Sequence, residues 1–111
     1  MRSVVLSIAL VLSMTTAGHA ESMWVNGQEF AQNHCEKNQV AANRYVVGLM
    51  DGYATGSQIS KSRGYCTPPS VTAGQATAIA CKYARDNPKH WNVPAAYLII
   101  QSLQDAWPCT D

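Results

Sequence analysis

The clearest pattern of apolar and polar positions lies near the middle of the chain and predicts a long helix. Apolar residues recur there at steps of three and four, which places them on one helical face. They are Ala42, Val46, Leu49, Met50 and Tyr53. We expect the helix to begin near Asn38 and to continue to about Ser60. Because Gly48, Gly52 and Gly56 lie within it and glycine disfavours helix interiors, an interruption after Gly52 is the alternative.

Two shorter helices are predicted from the residues that cap them. The first begins at Asn26, where Glu29 follows at the spacing of a capping box, and runs to about Cys35. The third helix of the chain begins at Thr72, with Gln75 at the same spacing. In both cases an oxygen-bearing side chain is placed to accept from a free backbone N–H of the first turn.

A fourth helix is predicted after a turn that contains proline. Residues 86–88 (Asp-Asn-Pro) end the third helix, because proline cannot continue it. Asn92 is expected to cap the fourth, with Pro94 in its first turn, where the missing N–H costs nothing. Its inward positions are Ala96, Ile99, Ile100 and Leu103. Since no alternating strand pattern is present, the predicted fold is all-α, a small bundle of about four helices stapled by disulfides.

The N-terminus has the three parts of a cleavable export signal. Arg2 supplies a positive start, and residues 4–14 form an apolar core. Gly18 and Ala20 are small residues at the positions that a signal peptidase reads. The apolar run is shorter than the about 20 residues that a membrane span needs. We therefore predict a signal peptide at residues 1–20 and a single domain at residues 21–111, with a short buried helix as the alternative to the signal.

Four cysteines lie in the predicted domain, and an even number in a small exported domain indicates disulfides. Four cysteines permit three pairings. If the third and fourth helices run antiparallel, Cys66 before one lies beside Cys109 after the other. Cys35 and Cys81 then share one level of the bundle. We therefore predict Cys66–Cys109 and Cys35–Cys81. A zinc site is the competing interpretation, but the chain lacks the paired CxxC or HxxxH spacing that favours one.

The charges of the predicted domain balance, which restricts its partners. Once Arg2 is removed with the signal, seven Lys and Arg residues remain against seven Asp and Glu residues. This neutrality argues against nucleic-acid binding, which needs clustered cations, and against docking on a membrane surface. Charged residues make up only 14% of the chain, against a usual quarter. Such a composition fits a surface that binds another protein.

No catalytic or cofactor motif is recognisable in the domain. His34 and His90 are its only histidines, and the GxSxG, HExxH and glycine-rich phosphate motifs are absent. With all four thiols in disulfides, no nucleophilic cysteine remains. We therefore expect a protein that is not an enzyme and that holds no metal or other cofactor.

Several short motifs follow one another in a distinctive order between residues 30 and 109. They are Tyr45-x-x-Gly48-x-x-Asp51, Cys66-x-Pro68, Val71-Thr72-x-x-Gln75, Pro88, Pro94-Ala95-Ala96-x-Leu98 and Ala106-Trp107-Pro108-Cys109. Their order and spacing resemble the type VI secretion amidase immunity proteins, the Tai group of Rap/Tai-like proteins. One position departs from that pattern. Where the family often has a cysteine in the second helix, this chain has Ala42, and Cys81 is the candidate substitute.

This resemblance implies a small, helical, disulfide-bonded protein of the periplasm. Such proteins bind and block amidase effectors that neighbouring bacteria inject to cut peptidoglycan peptides. Several are homodimers and insert a protruding loop into the active-site cleft of the effector. The glycine row of the second helix would then be either a contact between two copies or a contact within one chain.

Two segments are candidates for binding the partner, because each combines cations with an aromatic residue of the kind that dominates interfaces. They are Lys61, Arg63 and Tyr65 in a loop, and Lys89, His90 and Trp91 in a turn. Ordinary solvated loops are the alternative in both cases. Trp24 is expected to pack back on the core of its own domain, with a partner contact as the alternative.

A different class of function fits the same size, export signal and helicity. Periplasmic acid-stress chaperones of the HdeA/HdeB type share these features and a disulfide. They are, however, rich in charges that respond to acid, whereas this chain is poor in charge and lacks clustered carboxylates. A structural protein of the cell envelope is the third interpretation.

Overall fold

A computed structural model describes residues 24–110 and is dominated by helices. The α-helices are α1 (Gly27–Glu29), α2 (Gln39–Ser60), α3 (Ala73–Asp86) and α4 (Ala95–Ala106). A π-helix, Phe30–Glu36, directly continues α1, and a 3-10 turn, Pro88–His90, lies between α3 and α4. The all-α prediction is confirmed. The predicted signal peptide, residues 1–20, lies outside the described residues.

The long helix α2 begins and ends where the apolar pattern predicts. The Asn38 side chain accepts a hydrogen bond from the Ala41 N–H at 3.1 Å and caps the helix. The helix then passes through its glycines without a break and reaches Ser60, so the alternative of an interruption after Gly52 is wrong. Lys61 ends it in the left-handed region, with φ of 56°.

The capping box predicted for α3 is present in full. The Thr72 hydroxyl accepts from the Gln75 N–H at 3.2 Å, and the Gln75 side-chain oxygen accepts from the Thr72 N–H at 2.8 Å. At α1 only half of the predicted box is formed among the described residues. The Asn26 side chain accepts from the Glu29 N–H at 2.8 Å, and no return bond from the Glu29 side chain accompanies it.

The predicted start of the fourth helix is wrong, because Asn92 does not cap it. The N-cap of α4 is Pro94, which has an extended ψ of 136°. Pro94 pairs with Asn26 in an isolated β-bridge, and the Ala95 N–H donates to the Val25 carbonyl at 2.9 Å. The chain before α1 therefore supplies the acceptor that Asn92 was expected to supply, and the helix begins later.

The first helix differs from its prediction in winding. In an α-helix five residues turn through about 500°, so Cys35 would point about 140° away from Phe30. The i→i+5 hydrogen bonds of the π-helix add a residue to each turn and reduce that offset. Phe30, Ala31 and Cys35 are all buried. This winding brings Phe30 and Cys35 onto one buried face, where the disulfide partner of Cys35 lies.

The core is small and rich in alanine. Of its 13 buried apolar residues six are alanines, and the largest side chains are Phe30, Leu98, Ile99 and Leu103. Alanine lets the helices approach closely, but each one removes little apolar area from water. Covalent links are therefore expected to supplement this core.

Two disulfides supply those links, and they are the pairs that the predicted topology brings together. Cys35 in the π-helix bonds to Cys81 in α3, and both residues are 2% exposed. Cys66, before α3, bonds to Cys109, after α4, and both are half-buried. In the chain-entropy picture each closes a loop long enough to contribute about 4 kcal/mol.

The glycine row of α2 faces open space in the described part of the chain. A Cβ atom added at Gly48, Gly52 or Gly56 would meet nothing within 4 Å in the described structure. The explanation of the row as an internal contact is therefore wrong for residues 24–110. None of the described helices, α2 included, is both long enough and apolar enough to cross a bilayer.

We expect dithiothreitol to reduce the disulfides in sequence. Thiol attack needs access to a sulfur atom, so the half-buried Cys66–Cys109 bond opens before the buried Cys35–Cys81 bond. Alkylation of samples quenched over time, followed by peptide mapping, measures the order. In urea-unfolded protein, the control, both bonds open at similar rates. Simultaneous opening in the folded protein would contradict the prediction.

Candidate functional site

The two segments predicted to bind a partner lie at opposite ends of the α3–α4 pair. The Cys66–Cys109 bond joins the segment before α3 to the segment after α4. The turn Pro88–His90 follows α3 and precedes α4, so it lies at the other end. The 14 residues of α3 span about 21 Å. The structure therefore does not bring the two segments into one patch of a single chain.

Hydrogen bonds to backbone carbonyls of α3 hold the turn in place. The Trp91 indole N–H donates to the Ala84 carbonyl at 2.7 Å, and the Asn87 side-chain amide donates to the Tyr83 carbonyl at 2.8 Å. Within the turn, the His90 N–H donates to the Asn87 carbonyl at 3.0 Å. Trp91 is half-buried and packs on the core. Trp91 therefore contributes to positioning the turn.

Backbone groups of α1 hold the turn from its other side. The Gly27 N–H donates to the Val93 carbonyl at 2.9 Å, and the Gln28 N–H donates to the Trp91 carbonyl at 3.1 Å. A Cβ atom on Gly27 would overlap Cδ1 of Leu98 and lie 3.0 Å from Cα of Trp91. Only glycine permits this close approach, so the turn is anchored to α1 as well as to α3.

Four of the exposed residues at this end of the bundle are grouped here as the turn face: Trp24, Lys89, His90 and Tyr97. Lys89 and His90, predicted from the sequence, are exposed. Trp24 is 90% exposed, so the expectation that it packs on its own core is wrong. Tyr97 is 56% exposed and was missed. The apolar pattern already indicates this exposure, because Tyr97 falls outside the predicted inward positions of the fourth helix.

Two exposed cations lie at the same end of the bundle. Asp86 pairs with Lys82 one helical turn away, which offsets both charges. Arg85 and Lys89 are exposed near the end of α3 and in the turn. Lys89 is part of the turn face, and Arg85 adds a second positive charge next to it. A partner surface that carries carboxylates would complement them.

At the opposite end, the loop after α2 returns along its helix and encloses a groove of about 540 Å³. We call this the arm groove, lined by Met50, Asp51, Tyr53, Ala54, Ser57, Gln58, Lys61, Arg63, Tyr65 and Thr67. The rings of Tyr53 and Tyr65 stack with centroids 5.0 Å apart. A Cβ atom on Gly64 would overlap the Tyr53 hydroxyl, so any larger residue would have to displace the Tyr53 side chain where the loop crosses the helix.

The loop residues predicted from the sequence take different positions in this groove. Lys61 and Arg63 are exposed at its rim. Tyr65 is half-buried against Tyr53, and burial, with smaller contributions from Tyr53 and Asp51, raises the pKa of its phenol. The phenol therefore stays neutral at neutral pH. Tyr65 acts mainly as part of the groove wall.

The two ends differ in shape, and the shapes suit different contacts. The turn face carries exposed side chains on a hydrogen-bonded turn, so it can enter a cleft of another protein with little loss of entropy. The arm groove is concave and can only receive a group from outside. Within residues 24–110, no three His, Cys, Asp or Glu side chains are placed to hold a metal ion. Protein recognition is the chemistry that these features support.

Comparison with known proteins gives a match to a protein family model. Residues 26–109 match the family model of the Rap1a immunity proteins, a stretch that includes all four cysteines and both candidate segments. No individual curated protein and no solved structure matches the chain.

We expect Gly27→Ala to destabilise the domain through the turn. The added Cβ atom must displace Leu98 and the Trp91 backbone, and overpacking of this kind costs about 1–3 kcal/mol. Gly74→Ala is the matched control, because its Cβ atom would meet only the Thr72 hydroxyl, at 3.9 Å. Urea unfolding measures both variants. Equal stability of the two would show that the close approach at Gly27 does not matter.

Proposed function

Because this chain belongs to the Rap1a immunity protein family, and is thus an immunity protein against a type VI secretion effector, we propose that its effector is a peptidoglycan amidase. In this proposal the protein binds the amidase and blocks its active-site cleft. The family is not a family of enzymes, which agrees with an inhibitory role. The amidase target is supported by the motif order between residues 30 and 109, which resembles amidase immunity proteins.

The turn face is the proposed inhibitory element, and the anchoring of its turn carries the proposal. Backbone or side-chain hydrogen bonds reach the turn segment from α1, through Gln28, and from α3, through Ala84. An inhibitor must keep its shape inside the cleft of its target, and a turn held from two sides does so before binding. Lys89 and His90 project from this turn, where they can contact the carboxylates or carbonyls of a cleft.

The periplasm is the proposed place of action. The predicted signal at residues 1–20 supports export. Two disulfides, one of them buried, fit an oxidising compartment. The peptidoglycan that an amidase cuts is found there too. The acid-stress chaperone alternative lacks the support that the family match gives to immunity.

A homodimer through α2 is the proposed assembly. Gly48 and Gly52 leave open space on the helix, and small residues let two helices approach closely. Arg44 and Asp51 are exposed and seven residues apart, which is two helical turns. In an antiparallel pair of α2 helices centred near Gly48, Arg44 of each copy would lie opposite Asp51 of the other. This charge complementarity supports the glycine face as the contact.

We expect Lys89→Ala combined with His90→Ala to weaken inhibition of the amidase. The double substitution removes two exposed side chains from the turn face and keeps the hydrogen bonds that hold the turn. Because the contacts of these side chains are lost, affinity for the amidase should fall on the order of 10- to 100-fold. Peptidoglycan cleavage at increasing inhibitor concentration measures the effect. The control is Lys61→Ala with Arg63→Ala at the other end, which should inhibit like wild type. The reverse pattern would place the inhibitory element at the arm groove.

We expect Gly52→Leu to convert a dimer into a monomer. The added side chain would fill the space that a second α2 helix must occupy, while it meets nothing within its own chain. Sedimentation velocity measures the mass, and circular dichroism should show a helix at least as stable as before. Gly74→Leu, on α3, is the control. If wild-type protein is already monomeric at micromolar concentration, the proposed assembly is wrong.

A further inference from the structure

We infer that Trp24 is an anchor of the effector interface, with its indole in an apolar pocket beside the cleft that the turn enters. This inference rests on the proposed function and extends it to a residue outside the two predicted segments. The pocket should be edged by carboxylates, because Arg85 and Lys89 lie at the same end of the bundle.

The exposure of Trp24 is the first observation. Its side chain is 90% exposed, more than any other large apolar residue of the described structure. A tryptophan side chain offers about 150–250 Å² of area for burial, and tryptophan is enriched among residues that dominate interfaces. Nothing within residues 24–110 covers this surface, so a contact outside the chain would recover its hydrophobic free energy.

The backbone next to Trp24 is fixed to the same end of the bundle. The Val25 carbonyl accepts from the Ala95 N–H at 2.9 Å, and Asn26 forms its bridge with Pro94. The Gly27 N–H then reaches the Val93 carbonyl, three residues after the turn. Trp24 is therefore joined directly to backbone that is fixed relative to Lys89 and His90, which lowers the entropy lost when it is ordered on binding.

Charge favours the effector over a second copy as the occupant. A symmetric contact between two turn faces would bring Arg85 and Lys89 of one copy near the same residues of the other. Like charges at an interface are unfavourable, whereas an acidic rim on a partner would be favourable.

The test compares three single variants for binding to the amidase effector by titration calorimetry. Trp24→Ala should raise the dissociation constant on the order of 10- to 100-fold. Trp24→Phe keeps an aromatic ring and should lose less. Ile59→Ala, the control, removes another exposed apolar side chain at the far end of α2 and should bind like wild type. The melting temperature of Trp24→Ala should not change, because the side chain is exposed.

Acrylamide quenching gives an independent measurement. The chain has three tryptophans, so the difference between wild type and Trp24→Phe reports on Trp24. We expect this contribution to be strongly quenched in the free protein and protected in the complex. Wild-type binding by Trp24→Ala, or quenching that persists in the complex, would overturn the inference. If wild type itself neither binds nor inhibits the amidase, the proposed function fails. If wild type binds the amidase and Trp24→Ala binds it equally well, the proposed function stands and this inference alone fails.

Discussion

Three backbone hydrogen bonds join the segment around α1 to the segment that leads from the turn into α4. They run from Gly27 to Val93, from Gln28 to Trp91 and from Ala95 to Val25. They hold the two segments so close that a Cβ atom at Gly27 would overlap its neighbours. The bond from Ala95 also determines that α4 begins at that residue. The three bonds also fix the backbone beside Trp24. The orientation of the turn, and so of every candidate contact at that end, depends on this short pairing between distant parts of the chain.

The alanine-rich core explains why such links are needed. Helices that meet through alanine pack closely, but they bury less apolar area than helices that meet through leucine. The buried Cys35–Cys81 bond joins the π-helix to α3 within that core, and the Cys66–Cys109 bond closes the opposite end. One end of the α3–α4 pair is thus held by a disulfide and the other by backbone hydrogen bonds. Rigidity of the surface follows from these links more than from core volume.

Sequence reasoning succeeded where local rules decide and failed where distant contacts decide. The caps at Asn38 and Thr72 depend on residues three positions away, and both were predicted. The disulfide pairs followed from the antiparallel order of the helices. The cap at Asn92 was wrong because Val25, far away in sequence, supplies the acceptor instead. No residue of the segment Phe30–Glu36 indicates its π-winding, which places Phe30 and Cys35 on one buried face.

Two features of the chain cost free energy that no contact within the described structure recovers. They lie on different surfaces. Each glycine in α2 costs about 1 kcal/mol relative to alanine, yet Gly48, Gly52 and Gly56 contact nothing in the described structure. Trp24 exposes apolar surface that no described residue covers. The family match covers the glycine face and the turn alike. A face that admits close approach of a helix and an end that presents an aromatic side chain beside cations suit two different partners. An immunity protein that pairs with itself along α2 would keep its turn face free for the effector.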